Sequence, residues 1–149
     1  MLKILLVEDN DTNAHLVTRG LAKASTENEV VRVVDGVQAI AAVRGTGEFK
    51  NQPRPDIVLL DLKLPKVDGL DVLRSIKSDA EFCQLPVIVM TTSNAESDRA
   101  KAYAAHANSY LVKPLDFAQL RDMMNDLCRY WGRWNAVPKS RRSTNREST

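Results

Sequence analysis

Four short apolar runs of this chain are each followed at once by residues able to do chemistry. Glu8 and Asp9 follow Ile4-Leu5-Leu6-Val7, and Asp61 follows Ile57-Val58-Leu59-Leu60. Thr91, Thr92 and Ser93 follow Val87-Ile88-Val89-Met90, and Lys113 and Pro114 follow Tyr110-Leu111-Val112. Taken singly these are ordinary residues: acids after strands cap helices or line loops, and a lysine is usually a solvated charge. Taken jointly they describe one site. Three crowded carboxylates repel one another unless a cation sits among them, and oxygen donors with positions left for water suit Mg2+.

Whether they meet depends on the elements that carry them. The four runs, with a fifth at Val30-Val31 and Val33-Val34, are β-branched, no longer than about five residues and do not alternate with polar residues. Strands buried on both faces of a parallel sheet read this way. Helical spacing fills the gaps: Ala14, Val17 and Leu21 share a face, as do Val37, Ile40 and Val43, and then Leu70, Leu73 and Ile76. An alanine-rich stretch near Ser97–His106 gives a weakly amphipathic fourth helix. Phe117, Leu120, Met124, Leu127, Trp131 and Trp134 form one continuous stripe on a fifth, with Asp116 as its N-cap. Strand then helix, five times over, predicts a doubly wound (βα)5 parallel sheet with helices on both faces. Ligands of such sheets bind outside the carboxyl ends of the strands, where the residues above fall. Gly45, Gly47 and Asn51-Gln52-Pro53-Arg54-Pro55 mark one long connection before the third strand.

Composition bounds the rest. At 149 residues and 44% hydrophobic the chain fits one domain able to fold without a disulfide or metal staple. Cys83 and Cys128 lack a C-x-x-C spacing, which leaves them as small residues of a reducing compartment. Net charge is +2, yet residues 135–149 set Lys139, Arg141, Arg142 and Arg146 against Glu147 alone, so the body is slightly acidic. Residues 1–134 then read as the domain and 135–149 as a basic, disordered tail. A body of that charge is not a nucleic-acid surface. No apolar run approaches the roughly 20 residues that span a bilayer, so a soluble cytoplasmic protein is expected. His15 and His106 belong to no recognisable dyad and take surface or cap roles.

Residues 1–134 resemble the receiver domain of two-component response regulators. The likeness rests on four blocks in order: Leu6-Val7-Glu8-Asp9-Asn10, Leu59 to Gly69 around Asp61 and Pro65, Val89-Met90-Thr91-Thr92-Ser93, and Tyr110 to Leu115 around Lys113-Pro114. It implies a flavodoxin-like fold with strand order 2-1-3-4-5. It also implies that Asp61 is a phosphoacceptor for a sensor histidine kinase and that Glu8, Asp9, Asp61 and the backbone carbonyl of Lys63 hold Mg2+. Lys113 and Thr91 then meet the phosphoryl oxygens, and a cis bond before Pro114 aims Lys113 inward. Thr91 and Tyr110 match the family's switch pair, which alters the surface of the fourth helix, fifth strand and fifth helix. Gly69 permits the tight turn before the third helix.

Two positions depart from the commonest pattern. Lys63 stands where Asn or Met is frequent and Ser93 where an acid or Ala is frequent, and both flank the path of hydrolytic water. Trp131 and Trp134 extend the fifth helix and suit a homodimer contact, since aromatics concentrate at interface cores. With the long Pro-rich connection, they make the chain similar to stand-alone regulators serving bacteriophytochrome-type kinases. On that reading it is no enzyme beyond assisting its own phosphorylation and dephosphorylation, and relay, terminal output and phosphate sink stay open. Two alternatives remain. One is a haloacid dehalogenase-type phosphohydrolase, which wants a second acid two residues after its aspartate nucleophile, where this chain has Lys63. The other is a receiver-like binding module that never takes phosphate.

Overall fold

The computed structural model describes residues 1–137; residues 138–149, with the cations of the expected tail, lie outside the described residues. Five strands, β1 (Leu2–Val7), β2 (Asn28–Val33), β3 (Ile57–Leu60), β4 (Val87–Thr91) and β5 (Ser109–Val112), alternate with five helices. These are α1 (Asp11–Ala22), α2 (Gly36–Arg44), α3 (Gly69–Ser78), α4 (Glu96–Ala104) and α5 (Phe117–Arg129). The strands form one sheet in the order β2-β1-β3-β4-β5, every neighbouring pair parallel.

That order explains a difference from the sequence pattern. β3 and β4 are buried at every position and β1 at all but Lys3, whereas β2 and β5 are mostly half-buried. The two outer strands are edges, and their valines reflect strand propensity more than complete burial. Two apolar cores flank the sheet. Val17 and Leu21 of α1 pack with Leu120, Met124 and Leu127 of α5 on one face. α2 and α3 cover the other face, joined by Ala102 of α4.

Short side chains start most of the helices. Asn10, Asp35, Asp68 and Asp116 accept hydrogen bonds from backbone N–H groups in the first turns of α1, α2, α3 and α5. The Gln38 N–H, with the Lys66 ammonium 3.3 Å from its carboxylate, holds the Asp35 carboxyl below the usual carboxylate range. α4 has no side-chain cap at Ala95. In α2 the buried face is Ala39, Ala42 and Val43, while Val37 is 57% exposed, so the predicted face was rotated. Small alanines let α2 lie close on the sheet, and the bulkier Val37 turns outward.

The fifth helix differs at its end. Its α-helical turns stop at Arg129, and Tyr130–Trp134 form a wider π-type turn. The turn lies close on the start of β1: a Cβ on Gly132 would sit 2.9 Å from Thr26 Cγ2 and 3.2 Å from Leu2 Cβ. Trp131 packs against the core between the sheet, α1 and α5, edge-on to Tyr130, but Trp134 is 69% exposed. The stripe is therefore not continuous to Trp134.

Candidate functional site

Glu8 and Asp9 leave β1, and Asp61 leaves β3, at the same level, because Val7 pairs with Leu60 in register. Leu60 pairs with Val89 and Val89 with Tyr110, which brings Thr91 and Lys113 to the same edge of the sheet. None of the three acids caps a helix; the capping positions are filled by other residues. Their ligand oxygens lie within 4.8 Å of one another, the sole such His, Cys, Asp or Glu cluster among the described residues.

Lys113 closes the cluster. Its ammonium donates to Glu8 Oε1 and, at 3.2 Å, to Asp61 Oδ2. The side chains of Lys113, Glu8 and Asp61 are 8%, 1% and 11% exposed, so this charge meets little competing solvent. Burial raises the Glu8 carboxyl above its ordinary range; Lys113 opposes the rise and the Asp61 charge adds to it. Asp9 remains open to solvent. An all-oxygen donor set with one open carboxylate fits a hard divalent cation.

The backbone holds these groups in place. The Lys63 N–H donates to Asp61 Oδ1 at 3.1 Å, and the Asp61 N–H to the Val7 carbonyl at 3.1 Å. Gly69 starts α3 against the acceptor strand: a Cβ there would fall 2.6 Å from Leu62 Cα and closer still to the Asp61 carbonyl. Its φ is not positive. Close approach, rather than the freedom of a tight turn, is what this glycine supplies.

All peptide bonds among the described residues are trans, which corrects the expected cis bond before Pro114. Lys113 is aimed by the sheet instead, its N–H donating to the Thr91 carbonyl at 2.7 Å. Thr91 is fully buried, and its Oγ1 accepts from the Ser93 N–H at 3.4 Å. Tyr110 is half-buried and its hydroxyl donates to the Ser93 carbonyl at 3.0 Å. Thr91 and Tyr110 thus meet at Ser93.

Two further groups escaped the sequence reading. Arg32 of β2 donates from Nε to the Glu8 carbonyl at 3.0 Å and sets Nη2 2.9 Å from Asp11, bracketing the turn that carries Glu8 and Asp9. A cation inside an otherwise apolar run was its one available signal. Ser93 Oγ donates to Asp98 Oδ2 of α4 at 2.5 Å, a pairing no spacing rule announces. His15 and His106 are exposed, as expected, and burial raises the Cys128 thiol to about 11, which leaves it inert.

A parallel α/β sheet whose carboxyl edge gathers an acidic cluster, a bridging lysine and a buried threonine defines a receiver-type signalling domain. The model of the response regulator receiver domain matches residues 4–125, and the chain belongs to that family. It is similar to the probable methanogenesis regulatory protein FilR2 of Methanothrix harundinacea, 41% identical over 135 residues covering 91% of this chain and 86% of the relative. It is 39% identical to response regulator Rcp1 of Synechocystis over 128 residues, covering 86% and 87%. The Mn(2+)-bound form of Rcp1 superposes with a TM-score of 0.84 at 37% identity over 93% of this chain and 99% of that one. The phosphorylated cyanobacterial phytochrome response regulator RcpA does so with a TM-score of 0.86 at 41% identity, covering 92% and 98%. The chain is a receiver-domain response regulator whose relatives imply a histidine kinase partner, and neither the phosphohydrolase nor the non-phosphorylated module is favoured. No helix among the described residues is long and apolar enough to cross a membrane.

Proposed function

We propose that Asp61 takes a phosphoryl group from a phosphohistidine on a sensor kinase, in the pathway of a phytochrome-like photoreceptor. One observation carries the acceptor role, a buried ammonium joining Glu8 and Asp61 beside the solvent-open Asp9, while the likeness to the phytochrome response regulator RcpA supports the pathway. An Asp61 carboxylate oxygen attacks phosphorus as the nitrogen–phosphorus bond breaks, and the imidazole leaves with the bonding pair. Glu8, Asp9, Asp61 and the Lys63 carbonyl would hold Mg2+, which supplies charge neutralisation for the transferring phosphoryl oxygens. Lys113 Nζ exchanges its contact with Asp61 for one to a phosphoryl oxygen, and the Thr91 hydroxyl donates to another. That draws Thr91 away from Ser93, and Tyr110, bonded to the same residue, transmits the change to the face made by α4, β5 and α5.

The same face supports a homodimer. Leu111, Met123, Tyr130 and Trp131 line a groove of about 560 Å3 between β5 and α5, and Trp134 stands exposed at the end of the π-type turn. Acceptor chemistry is tested by labelling with acetyl phosphate in Mg2+. The wild type takes up label and Asp61→Asn takes up none; undiminished labelling of that variant overturns the assignment.

A further inference from the structure

Asp9 stands open to solvent, so its place in the acidic cluster depends on the turn between β1 and α1 that carries it. Arg32 holds that turn from the neighbouring strand. It is paired in register with Leu6 and shares a strand face with Val30, which packs on the core between the sheet, α1 and α5. Its side chain therefore emerges at the carboxyl edge of β2, beside the start of α1. There Nε donates to the Glu8 carbonyl at 3.0 Å, while Nη2 stands 2.9 Å from Asp11 Oδ1 as a charge contact without hydrogen-bond alignment. One planar group thus grips the backbone just before Asp9 and meets the side chain two residues after it. The Glu8 N–H donates to the Val33 carbonyl at 3.1 Å, and the Asn10 N–H to Glu8 Oε2 at 3.3 Å. The turn is fixed on both sides of Asp9. Helix stability is not what the arginine serves, because the macrodipole of α1 favours anions at this end and gains from Asp11 instead.

We propose that Arg32 is a positioning residue that makes the acidic site select Mg2+ over larger divalent cations. The inference rests on the reading of Glu8, Asp9 and Asp61 as metal ligands. Mg2+ demands near-ideal octahedral geometry at about 2.0–2.1 Å, whereas Ca2+ accepts flexible oxygen shells at about 2.3–2.6 Å. A turn held rigid keeps the Asp9 carboxylate inside the narrow range that the small ion needs. Without Arg32, repulsion among the three carboxylates drives the turn outward, which a large ion tolerates and a small one does not. The charge of the guanidinium works the other way. It repels any dication, so a purely electrostatic role would weaken both ions alike, and removing it would tighten both.

A plainer role is available, since Arg32 also ties the edge strand β2 to α1 and could stabilise the fold without touching metal affinity. Cation binding separates the roles. The whole unphosphorylated chain is stripped with EDTA, dialysed, and titrated with Mg2+ and with Ca2+ by calorimetry at fixed pH and ionic strength. Removing a residue that orients a metal ligand typically costs about 10- to 100-fold in affinity. Arg32→Met, which keeps the apolar stem, is therefore expected to lose at least about tenfold in Mg2+ affinity and less than about threefold in Ca2+ affinity. Arg32→Lys keeps the charge but lacks the fork, and its Mg2+ preference is expected to shrink at least threefold as well. A preference that shrinks by less than threefold in either variant, or tighter binding of either ion, overturns the proposal. So does a wild type that shows no preference for Mg2+. Thermal melts in EDTA show whether the variants fold; if Arg32→Met does not, the milder Arg32→Lys decides alone. A wild type that binds neither ion would instead overturn the metal-site reading beneath the proposal.

Discussion

Replacing Lys113 with methionine keeps an unbranched apolar stem, one atom shorter, and removes the ammonium with its charge and hydrogen bonds. In the wild type the ammonium lies 3.2 Å from Asp61 Oδ2 and also bonds Glu8, with all three side chains largely buried. At an effective dielectric constant of about 20, one such contact is worth roughly 5 kcal/mol of gross attraction. Desolvation offsets part of that, and breaking a buried pair costs about 3–5 kcal/mol because a buried charge is left unpaired. We expect Lys113→Met to lose about 3 kcal/mol at pH 8 in EDTA, which for a domain of this size lowers Tm by about 6–12 °C. The deficit depends on pH with a defined sign. Burial raises the Glu8 carboxyl above 4.5, so the unfolded chain ionises first, and stability drains away as pH rises through the interval between the two states. Without Lys113 that interval widens, so the deficit measured at pH 8 exceeds the deficit at pH 5. A divalent cation takes over the neutralising role, and Mg2+ at 100 times its Kd returns about 2.7 kcal/mol. Urea titrations at both pH values, with EDTA and with Mg2+, measure all of this. A deficit equal under all four conditions would show that Lys113 acts by packing alone, and the electrostatic account of the site would fall.

Gly69→Ala forces a methyl group into the backbone of Asp61 and Leu62. Overpacking typically costs 1–3 kcal/mol, and with rigid main chain as the obstacle we expect about 3 kcal/mol in urea denaturation. A cost under 1 kcal/mol would mean that the loop after β3 yields freely. A chain ending at Arg129 lacks Trp131 and Trp134 and is expected to sediment as a monomer at concentrations where the full chain is a dimer; an unchanged dimer would clear both tryptophans of the contact.

The central strands and the site-bearing residues were legible because each rests on a local rule. Ile57–Leu60 reads as a strand buried on both faces, and it is one. The acids stand directly after such runs, so a parallel sheet has nowhere to put them but its carboxyl edge. What failed to read depends on contacts distant in sequence. Val37 has the spacing of a core residue, yet three alanines bring α2 close enough to the sheet to turn it out. The end of α5 widens where Gly132 meets Leu2 and Thr26, residues more than a hundred positions away. Arg32 could be seen as an odd cation in a strand, but its target, the Glu8 carbonyl, becomes visible only when β2 is laid beside β1.

Register is the physical link between these levels. Side chains alternate faces along a strand, so a slip of one residue between β1 and β3 would carry Asp61 away from Glu8 and exchange the two cores at once. The apolar residues of β1 and β3 are sorted strictly between the cores, with Ile4, Leu6, Ile57 and Leu59 on one side and Leu5, Val7, Val58 and Leu60 on the other. Such a slip would therefore repack both faces of the central sheet, against differently shaped helices on each. Packing energy far from the chemistry thereby fixes the spacing of the carboxylates, and the repulsion they store on meeting is small beside it. Lys113 offsets part of that repulsion, and the packing of the sheet holds the carboxylates in place against the rest.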